Sequence, residues 1–135
     1  MPGVETKLGM TVRPLIAEAA GDYPVAWPKS NYVPAAEPYL AVTRITAEPQ
    51  RMTISAQHRR LMSVMLMLMV PMDDKRTDEY WTEQATVIAG YFPADLRRTF
   101  DGLTVRVTQD PHVSDGFREG AWWQVPIRVR LETFT

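Results

Sequence analysis

The sequence has 135 residues, with 15 basic and 16 acidic side chains and no cysteine. This length suits one domain that folds without disulfides or metals, and the absence of cysteine excludes disulfides, thiolate nucleophiles and zinc–thiolate sites. The net charge of -1 gives no general attraction to nucleic acid or to anionic lipid. Glu5 and Lys7 interrupt the region where a signal peptide would have its apolar core, so we expect no export signal. The length leads us to expect a single domain over residues 1–135.

The first predicted element is a helix over most of residues 4–20, because apolar residues recur there at helical spacing. Pro14 would remove one hydrogen bond from that helix, so two short helices, the second capped by Thr11, are an alternative. Gly21 is expected to end the helix in either case.

A proline-rich stretch and two strands are predicted next. Residues 22–38 favour extended chain with a short edge strand at Val25–Trp27. Residues 39–47 are rich in β-forming residues and predict a strand, 48–58 a polar loop, and 59–70 a second strand. The second strand is apolar on both faces, so we expect it to be central, with helices on at least one face. Its methionines either fill gaps in the core or form an adaptable surface shared with a neighbouring subunit: Met62, Met65, Met67 and Met69.

A second helix is predicted over residues 77–92. Thr77 is a good N-cap, and Asp78 and Glu79 suit the positive end of the helix dipole. Pro93 is expected to stop the helix. Its buried stripe consists of Trp81, Ala85, Ile88 and Phe92, widened by Tyr80 and Tyr91.

Two strands follow in the last third of the chain. Residues 103–108 alternate between apolar and polar side chains, which predicts a half-exposed strand, and turn-forming pairs make 109–121 a loop. Pro126 cannot donate a ladder hydrogen bond, so the last strand is expected at an edge of the sheet or to end its pairing early. In that strand Trp123, Val125, Ile127, Val129 and Leu131 are predicted to face the core, and Gln124, Pro126, Arg128, Arg130 and Glu132 to face outwards.

These elements predict an α+β fold in the order helix-strand-strand-helix-strand-strand. Two hairpins joined by a crossover helix give a mixed, mainly antiparallel β-sheet of about 4–5 strands. Both helices are expected on one face of that sheet.

Chemical motifs provide no positive indication of an enzyme. Asp73 and Asp74 precede the second helix, but their spacing lacks the glycine and the distal glutamate of a calcium loop. His58 and His112 have no partner at ligand spacing and are expected in polar loops. The sequence contains no nucleophile elbow, phosphate-binding loop or dinucleotide motif. We therefore expect no enzymatic activity, no metal and no cofactor.

Arginines on or beside the strands are the most suggestive surface feature. They form either a solvated sheet face or a polar protein interface in which bidentate pairs set the register. A nucleic-acid patch is a third possibility, although the sequence gives it no interleaved exposed aromatic residue beyond Trp122. Trp123 is assigned to the core, so adjacent Trp122 is exposed, covered by residues 22–38 or buried by a partner. The candidate interface residues are Arg44, Arg59, Arg60, Arg106, Trp122, Arg128 and Arg130.

Three stretches of the sequence carry a resemblance to a known family. They are Tyr23-Pro-Val-Ala-Trp27-Pro28 with Tyr32-Val-Pro34 and Pro38-Tyr39-Leu40-Ala-Val42; the strand that ends at Val70-Pro71 with helix 77–92; and Gly102-Leu-Thr-Val-Arg106-Val with Ala121-Trp122-Trp123-Gln124-Val125-Pro126-Ile127. In order and spacing the chain resembles the tail terminator proteins of long-tailed phages, the family of the lambda minor tail protein U and its uncharacterised phage relatives.

The resemblance implies a role and a set of partners. It implies a ring, expected to be six-fold, that caps the tail tube, stops tube polymerisation and presents a docking face to the head. Such a ring is a closed heterologous assembly. Its implied partners are further copies of the chain, the tail tube protein and the head completion or connector protein, with no membrane and no sequence-specific nucleic acid. The implied location is the virion tail, after assembly in the host cytoplasm.

Three other functions stay open at the level of sequence. Another head–tail connector or neck protein would bind filled heads rather than tube ends. A small ferredoxin-like enzyme would use Asp73, Asp74 or His112 in a concave pocket with a perturbed acid or histidine. A monomeric regulator would bind a peptide along an open sheet edge and would not self-associate.

Overall fold

The computed structural model describes residues 4–28, 37–51, 58–100 and 102–134. Within these residues the elements are α1 (Val4–Ala20), β1 (Val25–Ala26), β2 (Tyr39–Arg51), β3 (His58–Pro71), α2 (Asp78–Ala89), β4 (Arg97–Phe100), β5 (Leu103–Val107), β6 (His112–Val113), β7 (Phe117–Glu119) and β8 (Trp122–Phe134). The strands form one sheet in the order β1-β2-β3-β8-β5-β4, and β6 and β7 also pair with β8. The β1–β2 pairing is parallel and the others are antiparallel. The mixed, mainly antiparallel α+β fold is confirmed.

The predicted count of four to five strands is wrong, because the described residues contain eight. The strands β4, β6 and β7 were not predicted, since each is short and lacks an apolar alternation. They form because β4 hydrogen-bonds to the edge of β5, and β6 and β7 to the edge of β8. This backbone pairing outweighs the weak strand propensity of their residues. The predicted loop 48–58 is wrong at both ends, since β2 runs to Arg51 and β3 begins at His58, and residues 52–57 lie outside the described residues. His58 and His112 were expected in loops, and both lie in strands.

The first helix is continuous over Val4–Ala20 and includes Pro14. Pro14 and Met10 are both exposed, so the Met10 carbonyl that loses its helical donor faces water rather than the core. The alternative of two short helices is therefore wrong. Thr11 is buried inside the helix instead of capping it. Gly21 follows the last turn with a φ of +58°, the left-handed conformation that ends many helices.

Both helices pack on one face of the sheet, as predicted. Residues of α1 and α2 share one continuous core with a single row from each long strand, and a pleated strand sends alternate side chains to opposite faces. From the helices this core receives Val12, Leu15, Ile16, Ala19, Trp81, Ala85 and Ile88. From the long strands it receives Leu40, Val42, Met62, Val64, Leu66, Leu68, Val125, Ile127, Val129 and Leu131.

The predicted N-cap of α2 is confirmed, but its set of buried side chains is smaller than predicted. The Tyr80 backbone N–H donates to the Thr77 hydroxyl at 3.3 Å, which satisfies one free donor of the first turn. Trp81 and the apolar residues that follow it at helical spacing are buried. Tyr80 and Tyr91 were predicted to widen that stripe, but they are 38% and 44% exposed. Neither helix in the described part of the chain has the length and apolar character that a membrane span requires.

Pro126 does not place β8 at an edge, and that prediction is wrong. β8 pairs with β3 from Trp122 to Phe134 and has further strands on its other side. The Pro126 carbonyl accepts a hydrogen bond from the Ser114 N–H at 3.0 Å, and in an antiparallel strand the two polar groups of a residue point to the same side. The missing N–H therefore faces the gap between β6 and β7, and the ladder with β3 is intact.

Adjacent residues of β3 provide a test of the one-sided core. Leu66 is fully buried among the helices, whereas Met67 points to the opposite face and is only partly buried. We expect Leu66→Ala to lower the free energy of unfolding by about 2–5 kcal/mol, because it leaves a cavity. Met67→Ala should cost about 1 kcal/mol or less. Urea denaturation of the two variants measures the difference, and equal losses would contradict the assignment of the faces.

A second test concerns Trp123, which was predicted to lie in the core. It packs against the core but stays partly exposed. A Cβ placed on Gly116 would lie 2.5 Å from the indole Nε1, so the loop before β7 packs directly on the ring. We expect Gly116→Ala to destabilise the protein by about 1–3 kcal/mol through overpacking. Asp115→Ala at the exposed neighbouring position is the control, and thermal unfolding that shows no difference between them would disprove this contact.

Candidate assembly surface

The face of the sheet opposite the helices is partly exposed. We call it the open face. On β3 it carries Leu61, Met65, Met67 and Met69, all half-buried, whereas the alternate residues of that strand are buried. The prediction that β3 is central is confirmed. The helices within the described residues cover only its other face, so the methionines form a row of apolar side chains at the surface.

Two arginines of β8 lie beside this methionine row. In the β3–β8 register Arg128 is opposite Met65, and Arg130 is opposite Ser63. Both arginine side chains are exposed, as their alternation predicted. Neither makes an ion pair with a carboxylate of the described residues. One end of the open face is therefore basic.

The other end of the open face is mainly apolar and aromatic. Pro126 is opposite Met67 in the register, and Trp122 is opposite Pro71. Half-buried Gln124, opposite Met69, is the polar residue between them, and its amide donates to exposed Glu119 at 3.2 Å. The Trp122 ring meets the ring of Tyr39 edge to face, with centroids 5.3 Å apart. Trp122 is half-buried, so it is not fully exposed. The ring that contacts it belongs to Tyr39, just after the 22–38 segment that was predicted as one possible cover, and residues 29–36 of that segment lie outside the described residues. The open face thus changes from basic to apolar along the strands.

Arg106 is held within the chain by two carboxylates. Its Nε donates to the Glu132 carboxylate at 3.0 Å, its Nη2 contacts the same oxygen, and its Nη1 donates to Asp95. These hydrogen bonds, that with Glu132 first, raise the pKa of Arg106 above its ordinary value, so the guanidinium is fully charged at neutral pH. Glu132 was predicted to face outwards into solvent, but its side chain is only 4% exposed because it packs beneath Arg106.

The remaining predicted interface arginines lie on β2 and β3. Arg44 is opposite Met65 in the β2–β3 register, and Arg59 is opposite Gln50; both side chains lie outside the described part of the structure. Arg60 is half-buried and lies opposite Thr133 of β8. Of the seven candidate residues, the structure brings Arg128, Arg130 and Trp122 onto one open face, and the assignment of all seven to an interface stays a prediction.

The acidic stretch before α2 has a structural use. One carboxylate oxygen of Asp74 accepts from the Arg76 backbone N–H at 2.9 Å and from the Trp81 indole at 3.3 Å. The Arg76 guanidinium lies over the rings of Tyr80 and Trp81. Asp74 lines a cleft of about 160 Å³, and His112 lies elsewhere, on β6. Within the ranges that the structure describes, no cluster of three or more acidic or histidine side chains could hold a metal ion.

One surface feature was missed from the sequence. The outer side of α2 carries Glu79, Glu83 and Val87, all exposed and spaced four residues apart. Four-residue spacing places side chains on one side of a helix, so the spacing would have revealed this stripe. The predicted assignment of Tyr80 and Tyr91 to the core concealed it.

The two classes of arginine should differ in their effect on stability. We expect Arg106→Met to lower Tm, because the buried Glu132 carboxylate loses its ion pair with the guanidinium. Arg130→Met removes the same groups from an exposed site and should leave Tm nearly unchanged. Differential scanning calorimetry at neutral pH compares the two. A Tm for Arg106→Met equal to that of the wild type would show that the ion pair does not stabilise the fold.

Comparison with known proteins places the chain in a family. Residues 11–131 match the phage tail terminator protein family. One solved structure is 22% identical, with a TM-score of 0.63 over 96% of this chain and 92% of that one. A chain of the virion of a native gene transfer agent particle has the same fold at 10% identity, with a TM-score of 0.63 and full coverage of both chains. No curated protein matches the chain. Because the match spans nearly all of its length, the chain belongs to the phage tail terminator protein family.

Proposed function

We propose that copies of this chain form a ring at the end of the phage tail tube. The ring stops tube polymerisation and then provides the surface on which the head docks. The observation that carries the proposal is the family match over residues 11–131. The ring is expected to be six-fold, and its partners are the tail tube protein on one side and the head completion or connector protein on the other.

The open face supports self-assembly as part of this function. A sheet face with a row of partly exposed methionines and two arginines that pair with no carboxylate of the described residues differs from the surface of a typical monomer, which exposes apolar side chains singly. Its charged groups can set register between subunits. The similarity of fold to a chain of a gene transfer agent virion supports a place in a tailed particle.

The described chemistry favours an assembly protein over an enzyme. Asp74 is occupied in organising the start of α2, since its carboxylate accepts from Arg76 and Trp81. His112 lies exposed on β6, across from Arg128, away from the cleft that Asp74 lines. The residues that an enzyme would need are therefore not gathered around one pocket in the described part of the chain.

A mass measurement combined with tube-length measurement tests the proposed function. We expect light scattering across a concentration series to show a ring mass, either for the chain alone or once the cognate tail tube protein is added. Electron microscopy should then show tubes with capped ends and a bounded length, because a ring that binds the tube end removes the site of addition. Tube protein alone is the control and should give tubes of unlimited length.

Two results would contradict termination. A strict monomer that leaves tube length unchanged at saturating concentration would remove the proposed function. Binding to purified filled heads but not to tube ends, measured by co-sedimentation with each, would instead identify a neck protein.

A further inference from the structure

The outer side of α2 is acidic at one end and apolar at the other, and none of these side chains packs in the core. Glu79 and Glu83 are exposed near the start of the helix, and Val87 is 53% exposed near its end. Tyr91, just beyond the helix, continues the apolar end and is 44% exposed. We call these four residues the α2 stripe. It changes from acidic to apolar along its length.

Helix stability explains only part of this stripe. Glu79 lies in the first turn, where a negative charge favours the helix dipole. Glu83 lies one turn further along, and two glutamates four residues apart repel each other. Neither has an ion pair with a cation of the described residues; nearby Arg76 lies over the Tyr80 and Trp81 rings. The exposed Val87 contributes nothing to the core, so the stripe is better explained by a partner.

The open face is complementary to the α2 stripe in charge and in length. From Glu79 to Tyr91 the stripe runs about 18 Å at 1.5 Å per residue. From Ser63, opposite Arg130, to Met69 the open face runs about 20 Å at 3.3 Å per residue. Two glutamates at one end of the stripe match two arginines at one end of the open face. The apolar ends of both surfaces then coincide.

The two surfaces also lie on opposite sides of the molecule. The buried side of α2, with Trp81, Ala85 and Ile88, packs on the inner face of the sheet, so the α2 stripe faces away from the sheet. The open face looks in the other direction. A contact between two different, oppositely placed surfaces is heterologous, which is the type of contact that a closed ring requires.

We propose that the α2 stripe of one copy docks on the open face of the next copy. This inference rests on the proposed ring, and it identifies the two surfaces that build it. Arg128 and Arg130 contact Glu83 and Glu79 of the neighbouring copy, while the methionine row packs on Val87 and Tyr91. One helix on one sheet face buries less area than a stable interface of about 1,200–2,000 Å², so the contact is weak in an isolated pair and is reinforced when the ring closes on the tube.

Charge reversal tests the pairing of the two surfaces. We expect Arg128→Glu with Arg130→Glu to weaken ring formation on tubes at least about 10-fold, because like charges then meet across the interface. Glu79→Lys with Glu83→Lys should weaken it similarly. The four substitutions together should restore ring formation, since opposite charges face each other again. Glu18→Lys with Asp22→Lys, exposed on and just after α1, is the matched control and should behave as the wild type.

Cross-linking tests the contact directly and benefits from the absence of cysteine in the sequence. Arg128→Cys and Glu83→Cys chains are mixed with tube protein and treated with a short bis-maleimide, because two residues that meet through long side chains have backbones too far apart for a direct disulfide. We expect a cross-link between the two variants, and none between Arg128→Cys and Glu18→Cys chains. Circular dichroism shows whether each variant is folded, so that a missing cross-link cannot be attributed to unfolding.

The outcomes separate this inference from the proposed function. If wild-type chains cap tubes but the four-fold charge swap fails to restore capping and the Arg128–Glu83 cross-link does not form, the ring uses other surfaces. A cross-link between two Arg128→Cys chains would indicate two open faces packed against each other, and that also overturns the proposal. If wild-type chains leave tube length unchanged and do not form rings, the proposed function itself has failed.

Discussion

The pairing of β3 with β8 is the constraint on which the rest of the structure depends. The ladder runs from Arg59–Phe134 to Pro71–Trp122 without a register shift, so every side chain of both strands has a fixed face. The inner row packs beneath both helices, and the core is continuous from α1 to α2. The outer row then has no freedom to turn inwards, because a slip of one residue would expose the whole core. The open face is thus a consequence of the same register that builds the core.

Elements with a strong pattern could be predicted from sequence, and weak ones could not. The alternation of Val125, Ile127 and Val129 and the helical spacing around Ile16 and Ile88 identified their elements and their buried sides. The short strands β4, β6 and β7 contain little apolar alternation and exist only because β5 and β8 provide ladder partners. Pro126 was misread for a related reason, since a sequence does not state towards which neighbour a residue directs its backbone N–H.

The candidate surface shows the same division. Alternation along β8 placed Arg128 and Arg130 on the outer side, and the structure has them exposed. The same alternation predicted that Glu132 faces solvent. Its side chain is buried instead, because Arg106, 26 residues earlier in the chain, donates a hydrogen bond to its carboxylate. A tertiary ion pair of this kind leaves no local signal in the sequence. The α2 stripe was visible as a four-residue spacing, but its separation from the core became clear only once the buried side of the helix was known.

The row of methionines has a mechanical consequence. A methionine side chain is unbranched and has three rotatable bonds, so it can change contour at little energetic cost. The backbone beneath Met65, Met67 and Met69 is fixed by ladders to β2 and β8. A rigid backbone that carries flexible side chains allows a protein packed against the methionine row to tilt slightly while the side chains keep contact with it.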